Sequence, residues 1–552
     1  MIGVLAKVDQ LPVVEEFFEL FKTPWELYRY DRRYDVVVAT SDDVPDVDAN
    51  LVVIYGAGAK TSDIRHGIVA AGLQCSASVD CDGGALPIYQ DLLTFEAHTA
   101  GQACVVSPGG VAGLRLSSVS STVIRVGYDV FDEVKFVLSN GQPIAQAQVP
   151  TIDLHIKMLR TWILDTGNPL LEVAPMPAGH DFAVCLTHDI DFIGIRRHCF
   201  DHTMWGFLYR STIGAIRGAV RGRLTIPQLL RIWRAVAVLP FVYLGWAKDF
   251  WEPFEWYLDV ERGLPATYYL IPFKRRAGDK VPGTGAARRA TAYDVTDLEA
   301  TAAVLTDAGC EIGVHGLDAW HDAAQGRVER ERVAASSGQA SRGIRMHWLL
   351  TDAATPAVLE QAGYTYDATA GYNDTVGYRH GTTQVFRPMG AQRLLELPLH
   401  IQDGALFYPQ KLNLSESEAE KRCRPMIGHA RTTGGVLTTL WHDRSHGPER
   451  FWGDFYVGLV RSLKACSPWF GTADQVVNWF QQRRDVQFER IDDAQGSRLR
   501  LRCGGDAVHP PLRIVMHRAL TSGKAADIEW TGEHDLELEW RFGQPLTAGS
   551  LI

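Results

Sequence analysis

The chain has 552 residues, of which 46% are hydrophobic and 22% charged, and a formal net charge of −10. That length exceeds what one hydrophobic core organises, so about two to four domains are expected, and the negative balance excludes a general nucleic-acid binder. Nine scattered cysteines without Cys-x-x-Cys spacing exclude a disulfide framework and a zinc ribbon. No uninterrupted run of about 18 apolar residues predicts a membrane span, and the start Met1–Val8 has neither the length nor the charge of a secretory signal. On these counts the sequence reads as cytoplasmic.

Residues 1–175 alternate apolar runs, Tyr34–Ala39 and Leu51–Tyr55, with helical patterns such as Val13–Phe21, which predicts an α/β domain. Gly56-Ala57-Gly58-Ala59-Lys60-Thr61 follows a strand but lacks the spacing of a phosphate loop, and it reads as a glycine turn. The Pro-containing passage Pro175–His180 marks a boundary. Beyond it, residues 176–485 give strand patterns at Ala266–Ile271, Glu311–His315, Ile344–His347, Leu395–Leu399 and Gly435–His442 and a helix pattern at Asp297–Ala308, with polar residues at strand ends, as in a (β/α) barrel. Within that region, about 195–250 is a basic helical insertion: Ile195–Lys248 carries nine Lys/Arg and one acid, Asp201. From 486 to 552 the period changes to two, as in Arg498–Arg502 and Leu536–Trp540, predicting a small β-rich appendage.

The chemistry is concentrated at strand ends. Phe182–Asp191 is an apolar run closing in Asp189-Ile190-Asp191, which delivers two carboxylates to the edge where parallel α/β folds build their sites. Close carboxylates repel, and a divalent cation removes that cost. Three further ends carry His315, Arg345-Met346-His347 and His442. One Asp and two His around zinc leave a position open for water, as catalytic zinc requires.

Thr187-His188-Asp189-Ile190-Asp191, His315 with His321, Arg345-Met346-His347 and Leu440-Trp441-His442 together resemble the ordered motifs of the polysaccharide deacetylase (NodB-homology) family, over about residues 180–485. The resemblance implies a distorted (β/α) barrel, here with an extra N-terminal α/β domain. It also implies a base at Asp189, a metal ligand at Asp191, a general acid at His442 and an arginine steadying the base at Arg345. The sequence departs from the family where two His normally stand four apart, because His315 and His321 are six apart. Six helical residues turn through about 600°, which separates the two rings. His347 stands two after Arg345 on the same strand and so on the same side, and the resemblance to relatives with an extra N-terminal domain, which carry a comparable Arg-x-His, implies His347 as the third ligand, with His321 the alternative and Asp318 read as a turn or cap residue. Asp403 is expected to orient His442, and Asp367 competes for that role.

The expected activity is a metal-dependent N-deacetylase, with zinc the expected cation and an N-acetylated sugar or glycan precursor as substrate. The rivals are another carbon–nitrogen hydrolase on the same barrel, a deformylase or cyclic amidase, and an inactive glycan- or lipid-binding protein. In the insertion Arg196, Arg197, Arg210, Arg217, Arg221, Arg223, Arg231 and Arg234 are interleaved with aromatic residues. That composition suits either a helical insertion packed on the barrel or peripheral contact with the inner membrane.

Overall fold

The computed structural model describes residues 1–540 apart from 82, 97–100, 120, 223, 280–285, 494–495, 506 and 518–525. Arg223 of the insertion therefore lies outside the described residues. The N-terminal domain is built on a mixed nine-stranded sheet. Its parallel half runs Trp25–Leu27, Ile2–Leu5, Val36–Ala39, Leu51–Tyr55 and Thr122–Val126. These short Val- and Ile-rich runs are buried on both faces, as parallel strands require. Helix Leu11–Phe21 covers one face with Phe17, Phe18 and Phe21. The other half is antiparallel, and the sequence reading had not anticipated it. Lys60 is used locally, donating to Thr40 O at 2.7 Å and Asp42 Oδ1 at 2.8 Å, in keeping with a structural turn.

The boundary passage Pro175–His180 begins within a strand. Leu170–Pro177 pairs antiparallel with Leu512–His517, which in turn pairs with Ala526–Trp530. Arg483 sits in this join, only 1% exposed, and donates to the carbonyls of Leu20 at 3.1 Å, Glu19 at 3.0 Å and Val173 at 2.8 Å. A buried guanidinium shared between carbonyls of two segments, the end of helix Leu11–Phe21 and strand Leu170–Pro177, ties the N-terminal domain to the barrel. The alternating runs at the C-terminus form strands, Gly496–Arg502 pairing with Gln487–Asp493 and Leu536–Trp540.

The barrel strands are β1 Ala183–Ile190, β2 Ala266–Leu270, β3 Glu311–Gly316, β4 Gly343–Met346, β5 Tyr366–Asp367, β6 Leu395–Glu396, β7 Ile401–Gln402 and β8 Val436–Leu440. All pair in parallel, in the order β6-β5-β4-β3-β2-β1-β8-β7, so the sheet curls with its open seam between β6 and β7. This is the distorted (β/α) barrel the strand rhythm predicts. Every residue of β1 is buried, which is why its sequence is apolar over Ala183–Leu186 and why the polar Thr187 and His188 that follow are hydrogen-bonded. The strand expected over Leu395–Leu399 is paired as β6 for two residues only. Leu397 and Leu399 still donate across to Asp367 and Ala370 at 2.8 and 2.9 Å, but Pro398 between them has no N–H to give.

Between β1 and β2 the chain forms helices His202–Tyr209, Ala215–Val220, Ile226–Tyr243 and Phe254–Val260. Thr225 and Gln228 close a capping box at the start of the longest. Met204, Phe207, Leu239, Val242 and Trp251 form the insertion's own core, and Ala215 and Ile232 pack on Phe451 of the barrel. No helix among the described residues is long and apolar enough to cross a membrane.

Candidate metal centre and active site

The carboxyl ends of β1, β3 and β4 converge. Asp191 Oδ1 lies 3.5 Å from His315 Nε2 and 3.7 Å from His347 Nδ1, and the two imidazole rings stack with centroids 4.8 Å apart. One ligand atom from each of Asp191, His315 and His347 lies within 4.8 Å of the others. Each ring is prepared for such a role. His315 Nδ1 donates to the Arg345 carbonyl at 2.9 Å, which fixes the tautomer and leaves Nε2 with its lone pair. His347 Nδ1 and Asp191 Oδ1 are buried without a hydrogen-bond partner, a costly state for polar atoms unless something binds them. Burial pushes His347 down to about 3, keeping it in the neutral form a ligand must have. The donor set, one carboxylate and two imidazoles, fits a divalent cation with a position left open.

His347 reaches this group by a different route from the one expected. The strand ends at Met346, and His347 opens a tight turn in which Trp348 has φ +67° and Leu349 φ +52°. Two consecutive left-handed residues are uncommon away from glycine, and they fold the chain back over the site. His321 is not part of the group. Its Nε2 lies 3.5 Å from Asp318, whose buried carboxylate accepts from Arg276 at 3.1 Å and from the Asp279 N–H at 2.7 Å. We expect His347→Ala to lose most bound metal by elemental analysis, and His321→Ala to keep it, since removing one of three ligands opens the site. The opposite pair of results would place the third ligand at His321.

Two braced side chains flank the cluster. Asp189 Oδ1 accepts from Arg345 Nη1 at 3.0 Å, while Oδ2 stands 3.7 Å from His315 Nε2. Arg345 is fully buried, and it also donates to Thr187 Oγ1 at 2.7 Å and Ala368 O at 2.9 Å and lies over the Tyr269 ring. At the end of β8, His442 Nδ1 donates to Asp403 Oδ1 at 2.6 Å, and the His442 backbone N–H donates to Asp403 Oδ2 at 2.8 Å. Ser445 donates its hydroxyl to the same Oδ2. Burial opposes charging of His442, yet the Asp403 carboxylate outweighs it and raises the imidazole to about 10.

Asp403 is therefore the carboxylate beside His442, and Asp367 is elsewhere. It accepts from the Thr369 N–H at 3.0 Å and shares a buried pocket with Glu396, behind Arg345. Burial, opposed by hydrogen bonds from Thr369, lifts Asp367 to about 6. Burial and the neighbouring Asp367 charge push Glu396 well above the carboxylate range.

Several neighbours were not read from the sequence. Asp443, 1% exposed, accepts the Asp191 N–H at 3.2 Å and is pushed up to about 8 by burial and by the Asp191 charge. Its place directly after His442 was the available signal. His188 is buried between Glu261 at 2.8 Å and the Trp441 carbonyl at 3.1 Å, a structural role within the first motif. Tyr408, Arg444 and Arg450 line the cleft and come from segments without a periodic or motif signature.

Above the cluster lies a cleft in two lobes. One, of about 510 Å³, includes Asp191, Asn373, Tyr408, Lys411, His442 and Arg444. The other, of about 330 Å³, includes Asp191, His202, Arg210, Arg288, His347 and Tyr408, and so reaches the insertion. A larger cavity of about 650 Å³ in the N-terminal domain, around Val44, Arg65 and Ser118, contains none of these groups, so volume alone does not mark the site.

Fold and site together define an open parallel (β/α) barrel with a candidate metal centre at its carboxyl edge. No family model and no curated protein matches the chain. Among solved structures, a protein from Mycobacterium smegmatis described as a polysaccharide deacetylase is similar over 56% of this chain and 93% of its own, at 18% identity and a TM-score of 0.33. A protein from Pseudomonas aeruginosa PAO1 with the same description covers 55% and 92%, at 14% identity and a TM-score of 0.32. Puue allantoinase covers 55% and 91%, at 13% identity and a TM-score of 0.31. The fold assignment rests on the strand order itself.

Proposed function

We propose that this protein is a metal-dependent hydrolase that removes the acetyl group from an N-acetylated sugar or glycan precursor. The observation that carries the reading is the Asp191–His315–His347 cluster, set between an Arg345-braced carboxylate and an Asp403-braced imidazole. A binding protein needs no such acid–base pair. When bound, a divalent cation, zinc by its preference for this donor set, supplies Lewis acidity toward water and the amide carbonyl. Asp189 takes the proton of the attacking water through the oxygen that Arg345 leaves free. Arg345 holds that carboxylate in place. His442, charged through Asp403, delivers a proton to the departing amine, and acetate and a free amino sugar result. Acetate release from a panel of N-acetylated sugars tests this. Release of formate from N-formyl sugars or opening of cyclic amides, with no acetate, would move the assignment to the rival hydrolases.

We further propose peripheral contact of the insertion with an anionic lipid surface. Of the 24 large hydrophobic side chains exposed among the described residues, 12 lie between Phe200 and Trp246. Trp246 is 75% exposed, Val220 83% and Leu244 61%, beside the exposed Arg217, Arg221 and Arg234. Apolar and aromatic groups interleaved with arginine suit the headgroup boundary of an anionic bilayer. The protein should co-sediment with phosphatidylglycerol vesicles in a salt-sensitive way, and replacing Arg217, Arg221 and Arg234 with Glu should abolish this. Sedimentation unchanged by those replacements would remove the membrane from the account.

A further inference from the structure

The cleft holds cationic groups that the proposed reaction does not use. Arg444 lies two residues after His442, with its guanidinium 3.7 Å over the Phe192 ring and 5.0 Å from the Trp251 ring. Among the described residues that guanidinium makes no hydrogen bond and no ion pair. Arg450 is similarly held by ring faces, 5.0 Å from Tyr408 and 4.5 Å from Trp452, with one hydrogen bond of 3.0 Å to the Tyr408 hydroxyl. Arginines in enclosed sites are ordinarily neutralised by carboxylates. Here aromatic faces support them, and most of their N–H donors remain available.

The neighbouring acids leave the balance positive. Asp443 and Glu449 are the acids whose charges act on Arg444, and neither forms an ion pair with Arg444 or Arg450 among the described residues; Glu449 is directed elsewhere. It stands 3.9 Å from Arg210 and accepts from Trp251 Nε1 at 3.2 Å. Lys411 is already occupied by Asp374 at 2.7 Å and by the Asn373 carbonyl. Tyr408 registers the resulting field: burial alone would raise its phenol, yet Arg450 and then Arg444 hold it below its ordinary value. Both lobes of the cleft share Tyr408 and Arg444 with Asp191.

We propose that Arg444, Arg450 and Tyr408 form a subsite for an anionic group of the substrate, a phosphate or a carboxylate carried on or next to the acetylated sugar. This rests on the hydrolase reading only in that the substrate enters the same cleft. Guanidinium groups with free N–H donors bind oxyanions through paired, charge-assisted hydrogen bonds, and the phenol adds a further donor. The adjacency of Arg444 to His442, and of Phe192 to Asp191, places the anion close to the bond that breaks.

Calorimetric titration of the metal-loaded protein with glucose 1-phosphate, glucuronate and neutral methyl glucoside tests the subsite without any turnover. At least one anionic sugar should bind more tightly than the neutral one. Arg444→Gln should weaken that binding by about tenfold or more, with Arg444→Lys intermediate. Preference for glucose 1-phosphate would identify a phosphate and preference for glucuronate a carboxylate. Metal content and thermal unfolding of each variant report that it is folded, and Arg450→Gln serves if Arg444→Gln is not. Equal binding of the neutral sugar, or anion binding untouched in the folded Arg444 and Arg450 variants, as expected if the anion only meets the metal, would overturn the proposal. Because binding is read directly, it can succeed where the deacetylase assay fails, and the reverse.

Discussion

Asp189→Asn should lower kcat by about 10²- to 10⁴-fold while leaving the metal in place, the loss expected when a general base is removed. Asparagine keeps the shape of aspartate and an oxygen that can still accept from Arg345, now 3.0 Å away. It cannot take a proton. The ligand group Asp191, His315 and His347 does not include Asp189, so elemental analysis should give the same metal content as the parent protein. A modest loss of stability is expected as well, because Arg345 is fully buried and would keep its charge without a carboxylate. Activity within about tenfold of the parent would remove Asp189 from the base role.

The second large effect concerns His442 and its partner. His442→Ala should cost about 10²-fold or more in kcat with metal retained. Asp403→Asn is the more informative change. The carboxylate 2.6 Å from Nδ1 raises His442 to about 10 against the opposing effect of burial. A general acid works while protonated, so activity assigned to it is present below its pKa and is lost as pH rises through that value. Removing the carboxylate leaves burial, which favours the neutral ring, so the pKa falls. The alkaline limb of the kcat profile, measured from about pH 6 to about pH 11, should therefore move to lower pH in Asp403→Asn. A limb that stays in place would mean that His442 is not the acid or that Asp403 does not set its charge.

How much of this was legible in the sequence can be judged strand by strand. Parallel strands buried on both faces write themselves as continuous apolar runs, so β1, β2, β3 and β8 were found close to their observed limits. The polar residues that end those runs, Asp189, Asp191, His315, Arg345 and His442, were visible for the same reason. β5 and β7 have two residues each, too few for a pattern. The left-handed turn at Trp348 and Leu349, which carries the His347 ring to Asp191, has no glycine to announce it. The choice between Asp403 and Asp367 depended on which strand neighbours β8, and pairing order is not written in local sequence: β7 lies beside β8 and brings Asp403, whereas β5 is across the barrel. The same limit hid the pairing of Leu170–Pro177 with Leu512–His517, more than half the chain away. Tyr408 and Arg450 lie in irregular segments and Arg444 in the single 3-10 turn Asp443–His446, where residue type alone does not separate a cleft-lining arginine from a solvated one.

The central claim is that a metal held by Asp191, His315 and His347 is required to hydrolyse an acetamide. It is tested most directly by metal analysis and acetate release on one preparation, before chelation, after chelation and after zinc is restored. The account predicts about one divalent ion per chain, acetate release that disappears with the ion, and recovery on its return. Undiminished acetate release from metal-free protein would contradict it.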